Sequence, residues 1–271
     1  MASEDQNISR KTGILLFIVI SVLILAGGQF YYFQEQKSLK EDKAEALSAV
    51  AKLKSGQISS WYRDEIHDAG IIANNNLLVE QIERYLRERT VEELTKLRLI
   101  LLNTSREHNY QYVLFSDTSW NLVAIEDIQY PVLDPLLHDA VERSLQSKTV
   151  VSTGLYLCTL HKTIHIDFIS SVTGDEGKIL GALIMQIDPF EQFYPLIQTW
   201  PTPSKSSETM LVIKEKDSIR YMNELRHVKN TALRKTLPLS DTNYTAVKAV
   251  TGSSGIVEGT DYRDINVLSY V

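Results

Sequence analysis

The first strong signal along the chain is a stretch with no polar side. From Gly13 to Phe33 the sequence GILLFIVISVLILAGGQFYYF carries no charge. As a helix rising about 1.5 Å per residue it spans the ~30 Å hydrocarbon core of a bilayer. A helix buried in a soluble core shows a polar position every third or fourth residue, whereas this one is apolar on all sides from Ile14 to Ala26. Phe30, Tyr31, Tyr32 and Phe33 follow as an aromatic belt of the kind that sits at headgroup depth. A cleaved signal peptide has an apolar core of about 7–15 residues ending at small residues. Ala26, Gly27 and Gly28 are small, but the aromatic cluster follows them directly, so the segment reads as an uncleaved anchor. Arg10 and Lys11 precede it while Lys37, Lys40 and Lys43 follow it among acids; with a tail of only about a dozen residues, the expectation is that 1–12 are cytoplasmic and everything after Phe33 lies outside the inner membrane, in a single-pass arrangement.

Beyond the anchor the period becomes helical. Gln34 to about Asn74 contains no proline. Leu39, Ala46 and Leu53 recur every seven residues, with Leu47, Val50, Ile58 and Trp61 beside them and Glu41, Asp42, Lys43, Glu45, Lys52 and Lys54 on a solvated side. Such a stripe suits either a parallel partner helix from a second copy or the chain's own domain. Asn74, Asn75 and Asn76 end it, because asparagine competes for backbone hydrogen bonds. Two amphipathic helices are predicted next, over Leu77 to Arg89 and, after Thr90, over Val91 to Glu107.

From Tyr110 the period falls to two. The pattern predicts a hairpin (Tyr110 to Ser116 and Leu122 to Glu126), a helix over Asp134 to Gln146, and four strands: Thr149 to Thr153, Tyr156 to Leu160, Thr163 to Val172 and Lys178 to Ile187. Pro189 to Trp200 is predicted helical, ended by Pro201 and Pro203. A shorter version of the same order follows: Thr209 to Lys214, Ile219 to Asn223, helix Tyr244 to Val250, then Ile256 to Asp261 and Ile265 to Val271. The fold class is therefore α+β, with a transmembrane helix (13–33), a long stalk helix and helical segment (34–108) and two tandem antiparallel-sheet modules. The modules cover 109–206 and 207–271. The second stops in mid-sheet, and the expectation is a fragment of a longer chain.

Composition narrows the function. A net charge of -6, with no run of basic residues, argues against a nucleic-acid partner. The lone Cys158 lies in an apolar run and reads as a buried small hydrophobe. There is no Gly-rich phosphate loop, Gly-x-Ser-x-Gly elbow, His-Glu-x-x-His helix or cysteine pair, so no catalytic motif, cofactor or metal is expected.

The candidate chemistry is that of a small-molecule site. His161 and His165 would share a face only on a helix. The β-branched residues around them predict a strand, where positions four apart lie about 13 Å apart and cannot share an ion. His165 and Asp167 point to one face at about 7 Å, within reach of one small ligand or simply sheet polar residues. Asp188, at the end of an apolar strand and before Pro189, reads as an N-cap carboxylate, as a pocket-rim carboxylate placed to receive an ammonium or hydroxyl group, or as both. Tyr112, Tyr130 and Tyr156 either line a pocket or fill the core. Trp61 and Tyr62 read as a packing stripe.

Several segments now carry a resemblance. Gln57, Ile58, Ser59, Ser60, Trp61 and Tyr62, the stretch Gly181 to Pro189, the run Tyr194 to Pro201, and Glu258 to Arg263, in this order of elements, resemble the double Cache (tandem PAS-like, dCache) extracytoplasmic sensor domains of prokaryotic transmembrane receptors, most of all sensor histidine kinases. The resemblance covers about residues 35–271. It implies a small-molecule ligand in the distal module (about 109–190), a relaying proximal module and a homodimer through the stalk. It also implies an output domain outside this chain, a histidine kinase or else a diguanylate cyclase or chemoreceptor. Asp188 matches a position where many members place a ligand-binding Asp. The family's amino-acid signature also has a Tyr, then an Arg followed closely by Trp and Tyr. Between Val123 and Leu160 the only Arg is Arg143, with no aromatic beside it, which argues against a free amino acid. Readings from other classes are a membrane-anchored pilin-like structural protein, against which the two modules count, and an anchored hydrolase, for which no nucleophile constellation is present.

Overall fold

The computed structural model describes residues 2–123, 133–160 and 162–271. The segments that the sequence reads as anchor and stalk form one helix, α1 (Ala2–Ala73), because no proline interrupts the chain before Pro131. It is long and apolar enough to cross a membrane. Its apolar side chains between Leu15 and Leu25 are 47–72% exposed, a surface that water disfavours by about 25 cal/mol per Å². Further along, Leu39 and Leu53 stay exposed, while Ile58, Trp61, Ile66, Ala69, Ile72 and Ala73 pack into the main core. The expected stripe is thus divided: its far part packs into the main core, Leu47 and Val50 face the chain's own second sheet region, and Leu39 and Leu53 are left exposed.

The helix breaks where the asparagines stand. Asn75 caps α2 (Asn76–Glu88), its Oδ1 accepting the N–H groups of Leu77 at 3.0 Å and Leu78 at 3.2 Å. Thr90 caps α3 (Val91–Glu107) through the Glu93 N–H. Asn75→Ala is expected to destabilise the fold by about 1 kcal/mol, the usual worth of such a cap, read as a lower denaturant midpoint at unchanged slope. A loss below the measurement error would mean that the α1–α2 corner is held by packing alone.

The distal module is a five-stranded antiparallel sheet flanked by helices. Its strands are β1 (Tyr112–Asp117), β2 (Leu122–Val123), β3 (Val151–Leu157), β4 (Ile164–Thr173) and β5 (Ile179–Ile187), in the order β2-β1-β5-β4-β3, with α4 (Pro135–Ser147) connecting β2 to β3. Alternation along each strand assigns the two faces. Val113, Phe115, Ile166, Phe168, Leu183 and Met185 meet α1, α2 and α3 in the main core. Leu114, Ile169, Ala182 and Ile184 meet Leu137, Ala140 and Val141 of α4. Gly181 lets β5 lie against β1, since a Cβ there would come within 2.1 Å of the Ser116 carbonyl oxygen.

Three expected elements differ. The two strands expected over Thr149 to Leu160 are one strand, β3, with a register shift between Ser152 and Leu155, where Gly154 takes φ +66°. The helix expected over Pro189 to Trp200 is only α5 (Phe193–Gln198). Asp188 and Pro189 instead form a turn, in which Asp188 Oδ1 accepts the Phe190 N–H and the Pro189 carbonyl accepts the N–H groups of Phe193 and Tyr194. A short strand over Thr236–Pro238 was not expected from its sequence. It pairs with the strand over Ser218–Tyr221 of its own module, and that pairing rather than local propensity makes it a strand. The part of the expected first hairpin beyond Val123 lies outside the described residues.

In the proximal module, β6 (Val212–Glu215), β7 (Ser218–Tyr221) and β8 (Thr236–Pro238) form one sheet. After α6 (Thr245–Val250), β9 (Ile256–Thr260) and β10 (Asn266–Tyr270) form a separate hairpin. A cavity of about 400 Å³ lies between β6 and β10, lined by Leu47, Val50 and Ala51 of α1 and by Thr245, Ala246 and Ala249 of α6. In the distal sheet the corresponding position, between β1 and β4, is filled by β5.

Candidate ligand-binding site

The face of the distal sheet under α4 changes character along the strands. Leu114, Ile184 and Ile169 form an apolar row beneath the helix. One two-residue step further, the same face presents Tyr112, Gln186 and Asp167, which are direct partners across β1, β5 and β4. The register thus turns three residues far apart in sequence into one polar row.

Asp167 is completely buried. Its Oδ2 accepts the Tyr156 hydroxyl at 2.6 Å and its Oδ1 accepts Nε2 of Gln186 at 3.0 Å. Its backbone N–H donates to Thr153 Oγ1 at 2.9 Å, a contact that the Gly154 bulge makes possible by displacing β3 from the regular ladder. Burial, with Asp134 nearby, pushes the Asp167 carboxyl up to about 6 against the opposing pull of its two hydrogen bonds. The Tyr156 hydroxyl is also pushed up, by burial first and then by the Asp167 charge, so it stays a donor.

Gln186 is only 3% exposed. The carboxylate beside it is an acceptor, so the amide must turn Nε2 towards Asp167, and this leaves Oε1 buried with no hydrogen-bond partner among the described residues. An unused buried acceptor costs about 1–3 kcal/mol. Such a cost is retained where something else uses the group.

The remaining candidates lie around this row. His165 stands opposite Tyr156 on β4, and its Nε2 meets Thr163 Oγ1 at 2.8 Å. Asp134, at the start of α4, accepts the Leu136 N–H through Oδ1 and both the N–H and the hydroxyl of Thr159 through Oδ2, tying the helix to the end of β3. Tyr112 is half-buried beside Gln186. Asp188 follows β5 by one residue and caps a turn, not the helix that its N-cap reading expected from Pro189. His165, Asp167, Tyr112 and Tyr156 are therefore gathered on one face. Tyr130 and His161 lie outside the described residues. Among the described residues no group of three or more His, Cys, Asp or Glu is placed to hold a metal.

Sequence reasoning missed Gln186, Asp134 and Thr153. The available signal for Gln186 was a single amide inside the apolar strand ILGALIMQI, and it becomes informative only once the register sets it opposite Asp167.

Below the row, the chain leads back to the stalk. Phe193 of α5 lies 4.8 Å from the Trp61 ring, and the buried Lys54 ammonium donates to the Leu196 carbonyl near the end of α5. Burial lowers the Lys54 pKa.

No protein-family model and no curated protein matches the chain. Solved structures do. The sensory domain of the Campylobacter jejuni chemoreceptor Tlp3 (CcmL) with isoleucine bound superposes with a TM-score of 0.56 at 16% identity, over 86% of this chain and 88% of that one. The ligand-binding domain of the Pseudomonas fluorescens chemoreceptor CtaA in complex with L-serine gives 0.52 at 12% identity, over 82% and 86%. That of the Pseudomonas aeruginosa amino acid chemoreceptor PctC in complex with GABA gives 0.51 at 12%, over 80% and 88%. The α+β fold is thus that of chemoreceptor sensory domains.

Proposed function

We propose that this chain is the extracytoplasmic small-molecule sensing region of a transmembrane signal-transduction receptor, with its ligand held by the distal module. The observation that carries the reading is the row of half-buried Tyr112 with buried Gln186 and Asp167, whose Gln186 Oε1 has no partner among the described residues, on the sheet face opposite the stalk helix. The structural relatives bind isoleucine, L-serine and GABA according to their descriptions, which supports a small ligand here. Their being chemoreceptors makes that output the first to test, ahead of the histidine kinase that the sequence resemblance favours.

In this reading α1 is a membrane anchor, and its exposed Leu39 and Leu53 meet a second copy. Ligand engagement at Gln186 shifts β5, the turn at Asp188 and α5. Through Phe193 against Trp61 and Leu196 against Lys54, the shift biases α1 between two positions.

The test is a thermal-shift screen of the full chain in lipid nanodiscs against small amines, acids and amino acids. A ligand is expected to raise the melting temperature, and Gln186→Met is expected to abolish the rise while leaving the far-UV circular dichroism intact. A ligand whose shift survives Gln186→Met places the site elsewhere. Asp188→Ala separates that residue's two roles: loss of binding makes it a ligand contact, and unchanged binding leaves it a cap.

A further inference from the structure

Resting on the reading of the distal row as the ligand site, we infer that its ligand is an organic ammonium ion that carries no carboxylate.

Among the described residues the row offers a carboxylate and an amide acceptor and no lysine or arginine. Gln186 Oε1 is a buried acceptor with no hydrogen-bond partner among the described residues, and its own amide is fixed by the Asp167 carboxylate 3.0 Å away on the other side. A donor placed on Oε1 is therefore backed by a negative charge one amide away, and the polarised amide accepts more strongly than it would alone. Tyr112, the cross-strand partner of Gln186, and Tyr156, bonded to Asp167, add aromatic rings of the kind that suits an ammonium. Asp134 and Asp188 flank the row.

A carboxylate finds no lysine or arginine beside this row among the described residues. Residues 109–190 contain ten Asp and Glu against four Lys and Arg. Those four, Arg143, Lys148, Lys162 and Lys178, are all exposed, and Arg143 is paired with Asp139 on the outer side of α4. An amino acid bound through its ammonium group would bring its own carboxylate towards Asp167 with no described cation to receive it. Buried charge without a partner is strongly disfavoured. The same amine without the carboxylate avoids that conflict.

The test titrates the full chain in nanodiscs calorimetrically at pH 7.5 with matched probes: isobutylamine, L-valine and isovalerate; ethanolamine, L-serine and 3-hydroxypropionate; cadaverine and L-lysine. At least one amine is expected to bind tenfold or more tightly than its amino acid, with no heat from isovalerate or 3-hydroxypropionate. Gln186→Met and Asp167→Asn, each folded by circular dichroism, are expected to weaken that amine tenfold or more. If an amino acid or acid binds as tightly as its amine and Gln186→Met abolishes this, the ammonium inference falls and the site stands. If an amine binds equally well to both variants, inference and site fall together. If no amine in the panel binds, the inference is overturned.

Discussion

Phe168→Ala is expected to lower the stability of the folded chain by about 3–5 kcal/mol, the range for emptying a buried aromatic position. Phe168 is fully buried on the stalk side of β4, with its ring centroid 6.1 Å from that of Trp61 and 5.5 Å from that of Tyr62. Truncation removes apolar burial and two aromatic contacts at once, each worth about 0.5–1.5 kcal/mol beyond area. It also opens a void in the seam that fixes the stalk to the sheet. Domain stability is typically about 5–15 kcal/mol, and at about 2–4 °C per kcal/mol for a chain of this size the melting temperature should fall by about 6–20 °C. Phe168→Leu should recover more than half of the loss. If the alanine variant loses less than about 1.5 kcal/mol, the stalk is not held by this seam, and the proposed route from α5 to α1 loses its anchor. A double-mutant cycle with Trp61→Ala should show coupling, since the two rings touch.

The sequence made this seam legible because its physics is local. An aromatic pair in a long amphipathic helix and a β-branched strand opposite it can both be read from periodicity. Two helix boundaries were legible for the same reason: at the asparagines 74–76 and at Thr90, where Asn75 and Thr90 are caps whose donors lie two or three residues away. What failed depends on pairing. The residues around Gly154 look like a turn between two strands, and only pairing with β4 makes them a bulge in one. Asp188 drew attention as a charge before a proline, yet its visible role is a turn cap. Gln186 drew none, because an uncharged amide among apolar residues carries no local signal. Its meaning comes from Asp167, 19 residues away along the chain and directly opposite in the sheet.

Asp167 supplies the second large effect, and its direction is unusual for a polar residue in a core. Asp167→Asn is expected to stabilise the ligand-free chain at pH 7.5 by about 1–3 kcal/mol and to leave stability unchanged near pH 4. Burial raises the folded-state pKa from the ordinary 3.8 to about 6, so the folded chain holds this proton more tightly than the unfolded one. The stability that the protonated form contributes is complete below about pH 4 and is lost as pH rises through 6. A difference of that size corresponds to about 3 kcal/mol. Asparagine is neutral at every pH, can still accept the Tyr156 hydroxyl, and can donate its amide to Gln186 Oε1 after the glutamine turns over. It therefore removes the buried charge and satisfies the unused acceptor together. The groups facing Asp167 among the described residues are Tyr156 on β3, neutral Gln186 on β5, His165 on its own strand and Asp134 before α4. Comparing variant with wild type at each pH by chemical denaturation cancels titrations the two share. A variant that is no more stable at pH 7.5, or equally stabilised at both pH values, would show that the carboxylate is not held at a cost. If the stabilised variant also loses ligand, the energy stored at Asp167 is what a bound cation releases: a charge kept buried and under-compensated in the empty site is stabilised only when an ammonium arrives, and the same carboxylate then sets the pH below which binding fades.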